Sequence, residues 1–290
     1  MTSDADLIIE ARQHDLGEGF FVRRLLPFRL RRHVGPFVFF DHFGPVDLAP
    51  ARGMDVRPHP HIGLATLTYL YDGAIRHRDS LGSDQVIRPG DVNWMTAGRG
   101  IVHSERTPAP ERAAGHRLHG VQTWLALPLP SEDAEPAFYH HDAATLPERE
   151  RDGVRVRVIA GTAFGMESPV RVYSPTLYVD ARFAAGGRLL LTAEHAERAV
   201  YPIEGELTLD GVALAPGRMH VLAGTREVEL RAAGAAFALI CGGAPLDGER
   251  VLWWNFVASS HDRIERAKAD WQAQRFGRVP GETELIPLPE

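Results

Sequence analysis

The chain has 290 residues, 44% hydrophobic and 24% charged, with 32 basic side chains against 38 acidic ones. That length exceeds one ordinary core and suits two domains, and the balance is that of a soluble globular protein. The formal charge of −6 excludes general nucleic-acid affinity, which needs a basic surface to displace counterions, and no apolar run approaches the roughly 18 residues that span a membrane. The start, MTSDADLIIEAR, lacks a basic segment followed by an apolar one, so no secretory signal is read and a cytoplasmic location is expected. Cys241 is the single cysteine, set in the apolar run FALICGG. An internal disulfide is therefore excluded, and a buried, inert thiol is expected.

Residues 7–34 read as short strands with turns at 14–19 and near Pro27. Arg23, Arg24, Arg29, Arg31 and Arg32 interleave here with Leu25, Leu26, Phe28 and Leu30, the pattern of half-buried strands with a wet edge. The rival reading of that cluster is a basic patch for an acidic partner. The following FVFFDHF run places Phe39, Phe40 and Phe43 either in a core or at a barrel mouth. His42, beside Asp41, is a candidate acid or base, although a lone histidine among aromatics is more often structural.

The stretch from Arg57 to Glu105 holds two spaced pairs, His59 with His61 and His103 with Glu105. A strand points residues i and i+2 to one face, so two adjacent strands would aim all four side chains at one point. One His-x-His is a cheap pattern. The second pair, however, follows a Pro89-Gly90 turn, an apolar run and the bend Ala97-Gly98-Arg99-Gly100. Three imidazoles and a carboxylate suit Fe(II), Mn(II), Ni(II), Co(II), Cu(II) or Zn(II) better than Ca(II) or Mg(II). Between the pairs, His77 alternates with Arg76 and Arg78 and is read as an exposed strand position. After them, His119 precedes an apolar strand ending in Trp124 and is a candidate supporting residue for the site.

From 56 to 127 short strands recur between Gly, Pro and Asp-rich turns, the rhythm of an antiparallel barrel or sandwich. Residues 136–152 lie in a Pro-rich, charged stretch and read as a linker between an N-terminal domain, 1–135, and a C-terminal one, 153–290. The second half repeats the first in outline. Tyr69-x3-Gly73 and Pro89-Gly90 have counterparts in Tyr201-x3-Gly205 and Pro216-Gly217, which indicates a duplication. Counted from those anchors, the ligand positions fall on Leu191, Ala193, Leu230 and Ala232, so one metal ion per chain is expected. A C-terminal helix can be capped by Ser259 or Ser260, carries Ile264, Ala267 and Trp271 on one face, and can be closed by Gly277.

The segments GPFVFFDHFGP, HPHIG, PGDVNWMTAGRGIVHSE, HGVQTW and WWNFVASSHDRIERAKADWQAQRFGRVPGE resemble the pirin family of two-domain cupins along nearly the whole chain. The resemblance implies an all-β fold of two tandem cupin barrels, the second a degenerate copy, with a short C-terminal helix packed on them. It also implies an iron, most simply Fe(II), held by His59, His61, His103 and Glu105. Where many pirins carry a Phe-Glu-Thr triplet, its carboxylate position is here Ala65, followed by Thr66, so neither adds a ligand. For activity it implies quercetin-type flavonol cleavage with O2, Glu105 doubling as ligand and general base. The alternative is a non-enzymatic, iron-dependent regulator that binds a protein partner; the substrates in the first case are a small aromatic molecule and O2.

Overall fold

A computed structural model describes residues 6–15 and 20–289. Part of the turn expected at 14–19 therefore lies outside the described residues. The described chain is almost entirely antiparallel strand with one helix of any length, His261–Gln272, and it divides into two compact units. No helix among the described residues is long and apolar enough to cross a membrane.

The first unit comprises Phe40–Ala143, Leu246 onward and the described part of Gln13–Arg23. One of its sheets has four strands in the order Asp55–His61, Ile101–Arg106, Ile75–Asp79, Asp84–Ile87. A larger sheet is centred on Leu64–Asp72, flanked by Val92–Thr96 and His116–Ala126. Leu64–Asp72 is buried along its first seven residues, as a strand covered on both faces must be. Inside lie Phe43, Met54, Leu70, Ile75, Ile87 and Leu118. Phe40 and Phe43 are thus core residues, and Phe39 lies beneath the Arg24 guanidinium, 4.5 Å from its ring centroid, so none of the three lines an open mouth.

The second unit comprises Arg24–Phe39, Ala144–Pro245 and the described residues up to Arg12. Its small sheet runs Arg188–Leu191, Val228–Ala232, Leu207–Leu209, Val212–Leu214, the same succession as the small sheet of the first unit. The duplication read from the turns is therefore a duplication of topology. Its strands show the alternation of a sheet with one wet face: Val154, Val156 and Val158 are buried, and Arg155 between them is exposed. Leu191, Leu230 and Ala232 belong to its apolar core.

Two boundaries differ from those read in the sequence. The segment 136–152 is not a bare linker, because Ala137–His141 pairs with Val92–Thr96 and Glu148–Arg151 pairs with Val154–Ala163. Strand edges offer unpaired N–H and C=O groups, and a charged, proline-rich stretch can fill them as well as a regular one. The chain ends also exchange. Leu7–Glu10 pairs with Arg218–Val221 in the second unit, while everything after Leu246, helix included, packs with the first. Ser260 caps the helix by accepting from the Arg263 N–H, and Ile264, Ala267 and Trp271 are its buried face. It stops at Gln272, so Gly277, with φ +84°, turns the chain beyond the helix rather than closing it.

That returning C-terminal segment packs on the strands carrying the His-x-His pair. Phe256 bridges Ile62, and the Val257 N–H donates to the Ile62 carbonyl at 3.2 Å. Gly63 follows with φ +67°, and a Cβ there would fall 2.0 Å from the Val257 carbonyl oxygen. Only glycine permits both the turn and that approach.

Candidate metal centre

His59 and His61 leave the strand Asp55–His61 toward one side, and His103 lies directly opposite His59 in the neighbouring strand. One nitrogen from each of the three rings lies within 4.8 Å of the other two. All three are buried. Burial, which disfavours the imidazolium, holds His59 down to about 4 and His61 and His103 well below the usual histidine range; the charge of neighbouring histidines adds to it. Each ring is therefore neutral, the form that ligates.

Hydrogen bonds decide which nitrogen of each ring faces inward. The His59 Nδ1–H donates to the Arg57 carbonyl at 2.9 Å, and the His61 Nδ1–H donates to the Asn255 carbonyl at 3.0 Å. A carbonyl can only accept, so Nε2 of both rings carries the lone pair. Nδ1 of His103 lies 3.3 Å from Nδ1 of His77, whose Nε2 is 3.0 Å from a carboxylate oxygen of Asp79. A His77 that donates from Nε2 to Asp79 and accepts at Nδ1 from His103 leaves the His103 Nε2 bare as well. His61 Nε2 and His103 Nε2 then face each other at 3.1 Å, two acceptors at hydrogen-bond distance with no proton between them. A cation resolves that repulsion, and three neutral imidazole nitrogens fit a borderline divalent ion.

Glu105 stands differently. The ladder between its strand and Asp55–His61 is irregular from His103 to Glu105, which aligns with Val56 instead of Arg57. Glu105 is not among the atoms that close within 4.8 Å. The Thr68 hydroxyl sits 3.4 Å from a Glu105 oxygen and 2.7 Å from Oε1 of Gln122. Burial raises the affinity of Glu105 for a proton above that of an ordinary carboxylate, and the Thr68 hydrogen bond opposes that rise. Trp124 presents itself edge-on to His61, ring centroids 4.9 Å apart.

His77 corrects the sequence reading. It is buried, stacked on Phe138 at 4.2 Å with 11° between the rings, and is not an exposed strand position. The alternation was the usable signal: Arg76 and Arg78 face out, so Ile75, His77 and Asp79 share the inner face. His119 lies with His42, Nε2 to Nε2 2.8 Å, and its ring is 4.9 Å from that of Tyr71. No such pattern marks the Asn255 contact, which reaches across 194 residues through a backbone carbonyl.

Other candidates resolve as structural. Asp91, His140 and Asp142 also fall within 4.8 Å of one another, but both Asp91 oxygens already accept backbone N–H groups, from Arg88 and Ala143, and Asp142 is exposed. Three of the five clustered arginines have separate tasks: Arg23 donates to the Gly44 carbonyl, Arg24 covers Phe39, and Arg31 pairs with Glu197 at 2.6 Å. Cys241 is buried, which pushes its thiol up to about 12.

Comparison with known proteins agrees with this architecture. The pirin family model matches residues 19–125, and the pirin C-terminal cupin domain model matches residues 178–277. A pirin-like protein of Caulobacter vibrioides is 49% identical over 98% of this chain and 99% of its own length. A Pseudomonas aeruginosa protein whose name proposes quercetin 2,3-dioxygenase activity is 42% identical, covering 93% of this chain and 85% of itself. The crystal structure of quercetin 2,3-dioxygenase from Acinetobacter baumannii superposes with a TM-score of 0.91 at 35% identity, over 98% of this chain and 95% of that one. The chain belongs to the pirin family and is built from two cupin domains.

Proposed function

We propose that this pirin is a metal-dependent dioxygenase that opens a flavonol ring of the quercetin type with O2, using one Fe(II) ion held by His59, His61, His103 and Glu105. The observation that carries the reading is the convergence of three buried histidine nitrogens, with the buried Glu105 two residues beyond His103 on the same strand. The names of two relatives support a small aromatic substrate. The donor set admits Mn(II), Ni(II), Co(II), Cu(II) and Zn(II) as well, and the choice of iron follows the resemblance to other pirins.

When bound, the ion supplies Lewis-acid chemistry, lowering the pKa of a hydroxyl group held against it. The chain's own residues handle the proton released. Glu105 is the base: its raised proton affinity brings it nearer to the flavonol hydroxyl it must deprotonate. Thr68 has one hydroxyl hydrogen and two acceptors in reach, so it can turn fully to Gln122 once Glu105 is protonated and accept from the new carboxylic acid. The flavonol anion left behind is electron-rich enough to react with O2, and opening of the central ring releases carbon monoxide. Trp124, fixed against His61, excludes water on that side of the ligand set.

The test is oxygen uptake and carbon monoxide release by metal-loaded protein given quercetin, with anaerobic protein as the control. Glu105→Gln keeps the shape and removes the base; it should retain part of its metal and lose most of its turnover. Fully loaded wild-type protein that consumes no O2 with quercetin would reject the substrate class, and full activity in Glu105→Gln would remove Glu105 from both roles.

A further inference from the structure

His77 and Asp79 lie one and two positions along the same inner face from Ile75, and neither is among the three converging histidines. They are nonetheless linked to that set through His103. Asp79 is wholly buried and its two oxygens have separate duties. Oδ1 accepts the backbone N–H groups of Leu81 and Ser83, at 2.9 and 3.0 Å, which locks the carboxylate into the turn after the strand. Oδ2 is left for His77 Nε2 at 3.0 Å. Stacking on Phe138 holds the His77 ring in that plane.

We propose that His77 and Asp79 are positioning residues of the metal centre: the turn-locked Asp79 fixes His77 as the Nε2–H tautomer, and the bare His77 Nδ1 accepts from His103 so that the His103 Nε2 faces the ion. This rests on the three-histidine metal reading, not on the identity of the substrate. Of the three histidines, two are oriented by backbone carbonyls, which are acceptors by constitution. His103 alone is oriented by a side chain whose acceptor state must itself be imposed, and Asp79 imposes it. Carboxylate or carbonyl partners of ligating histidines set ring orientation and raise ligand basicity, and their loss typically lowers metal affinity by about 10–100-fold.

The chain of tautomers makes a directional prediction. In Asp79→Asn, Oδ1 can still accept from Leu81 and Ser83, which turns the amide Nδ2–H toward His77. His77 must then accept at Nε2 and carry its proton on Nδ1, where it opposes the His103 proton. His77→Phe keeps the stack on Phe138 but deletes the acceptor, whereas His77→Gln restores a carbonyl oxygen that can accept from His103.

Co(II) affinity, measured by chelator competition, and the Co(II) visible spectrum are the readouts, with circular dichroism of each metal-free variant as the folding control. Asp79→Asn and His77→Phe should bind Co(II) about 10–100-fold more weakly with an altered spectrum, and His77→Gln should recover part of the loss. Folded His77→Phe with wild-type affinity and spectrum would overturn the proposal, whatever the protein does to quercetin. Wild-type protein that binds no Co(II) would instead overturn the metal reading beneath it. A second measurement needs no variant: long-range 1H–15N correlation on the metal-free protein should show His77 as the Nε2–H tautomer and His103 as Nδ1–H, and the reverse assignment would sink the proposal.

Discussion

Glu282 fastens the C-terminal segment to the outer side of the strand Ile101–Arg106, and its removal should loosen both. Ser104 and Arg106 alternate with His103 and Glu105 on that strand, so they face away from the site. The Glu282 carboxylate accepts from Arg106 Nε at 3.0 Å and a second Arg106 nitrogen at 2.8 Å, from Ser104 Oγ at 3.1 Å, and from Arg78. Its side chain is only 7% exposed. Stripping one partner from a buried charged pair costs about 3–5 kcal/mol. Arg106 is 22% exposed and keeps Asp55 and Glu284 as partners, so about 2–3 kcal/mol is expected for Glu282→Gln. At about 2–4 °C per kcal/mol for a unit of this size, the unfolding midpoint of the first unit should fall by roughly 5–10 °C. The pH dependence has a definite sign. Hydrogen bonding from Arg106, opposed by burial and reinforced by the charges of Arg106 and Arg78, holds the Glu282 carboxyl below its ordinary value of 4.5. A depressed folded value means the stabilisation is complete above the unfolded pKa and disappears as pH falls through the folded one. As pH falls below 4.5 the stability gap between the wild-type protein and Glu282→Gln should therefore shrink. Hydrogen exchange read by mass spectrometry, together with thermal melts at pH 7 and pH 3.5, would test this. Unchanged protection of residues 279–288 in the variant, or an equal stability gap at both pH values, would refute the reasoning.

Elemental analysis of purified protein should give one metal ion per chain, because the counterpart positions Leu191, Leu230 and Ala232 are apolar core; two per chain would show a second site. His61→Ala removes a buried imidazole held by Asn255 and should cut metal content sharply, with full content in a folded variant counting against the three-histidine centre. Chelation should leave β-type circular dichroism intact, since each unit has its own apolar core, while lowering the thermal midpoint by several degrees. Binding adds about 2.7 kcal/mol when free metal is a hundredfold above Kd, and unfolding on chelation would contradict the independence of the cores. Cys241, with its thiol pushed up to about 12, should resist alkylation at pH 8 until the protein unfolds; rapid labelling of the native state would contradict its burial.

The parts of this molecule that could be read from its sequence are those written in short-range periods. The period-2 spacing of His59 with His61 placed both on one face, the Gly and Pro turns marked strand ends, and the helical spacing of Ile264, Ala267 and Trp271 marked the buried face that the helix has. His77 is equally legible, and its charged flanking residues are no sign of its exposure. In a strand they signify the opposite for the residue between them, and Ile75 had already identified the inner face. Glu105 shows where spacing alone is not enough, since the ladder to Asp55–His61 shifts between His103 and Glu105 while the ladder to Ile75–Asp79 runs unbroken through both.

What could not be read is the contribution of the far end of the chain. The linear division 1–135 and 153–290 assumes that a domain is contiguous, yet the residues after Leu246 join the first unit and orient the His61 ring there. A backbone carbonyl leaves no mark on residue identity, so Asn255 could have been almost any residue and still accept from His61. The trace left in the sequence is indirect and lies at the receiving end. Gly63, two residues after His61, is required because the Val257 carbonyl passes where a Cβ would be. Gly63→Ala should therefore weaken metal binding without touching a ligand, since the added methyl must push the C-terminal segment away and take the Asn255 acceptor with it. The loss should appear as lower Co(II) affinity in a protein whose two cores remain folded; unchanged affinity would mean that His61 keeps its orientation without Asn255.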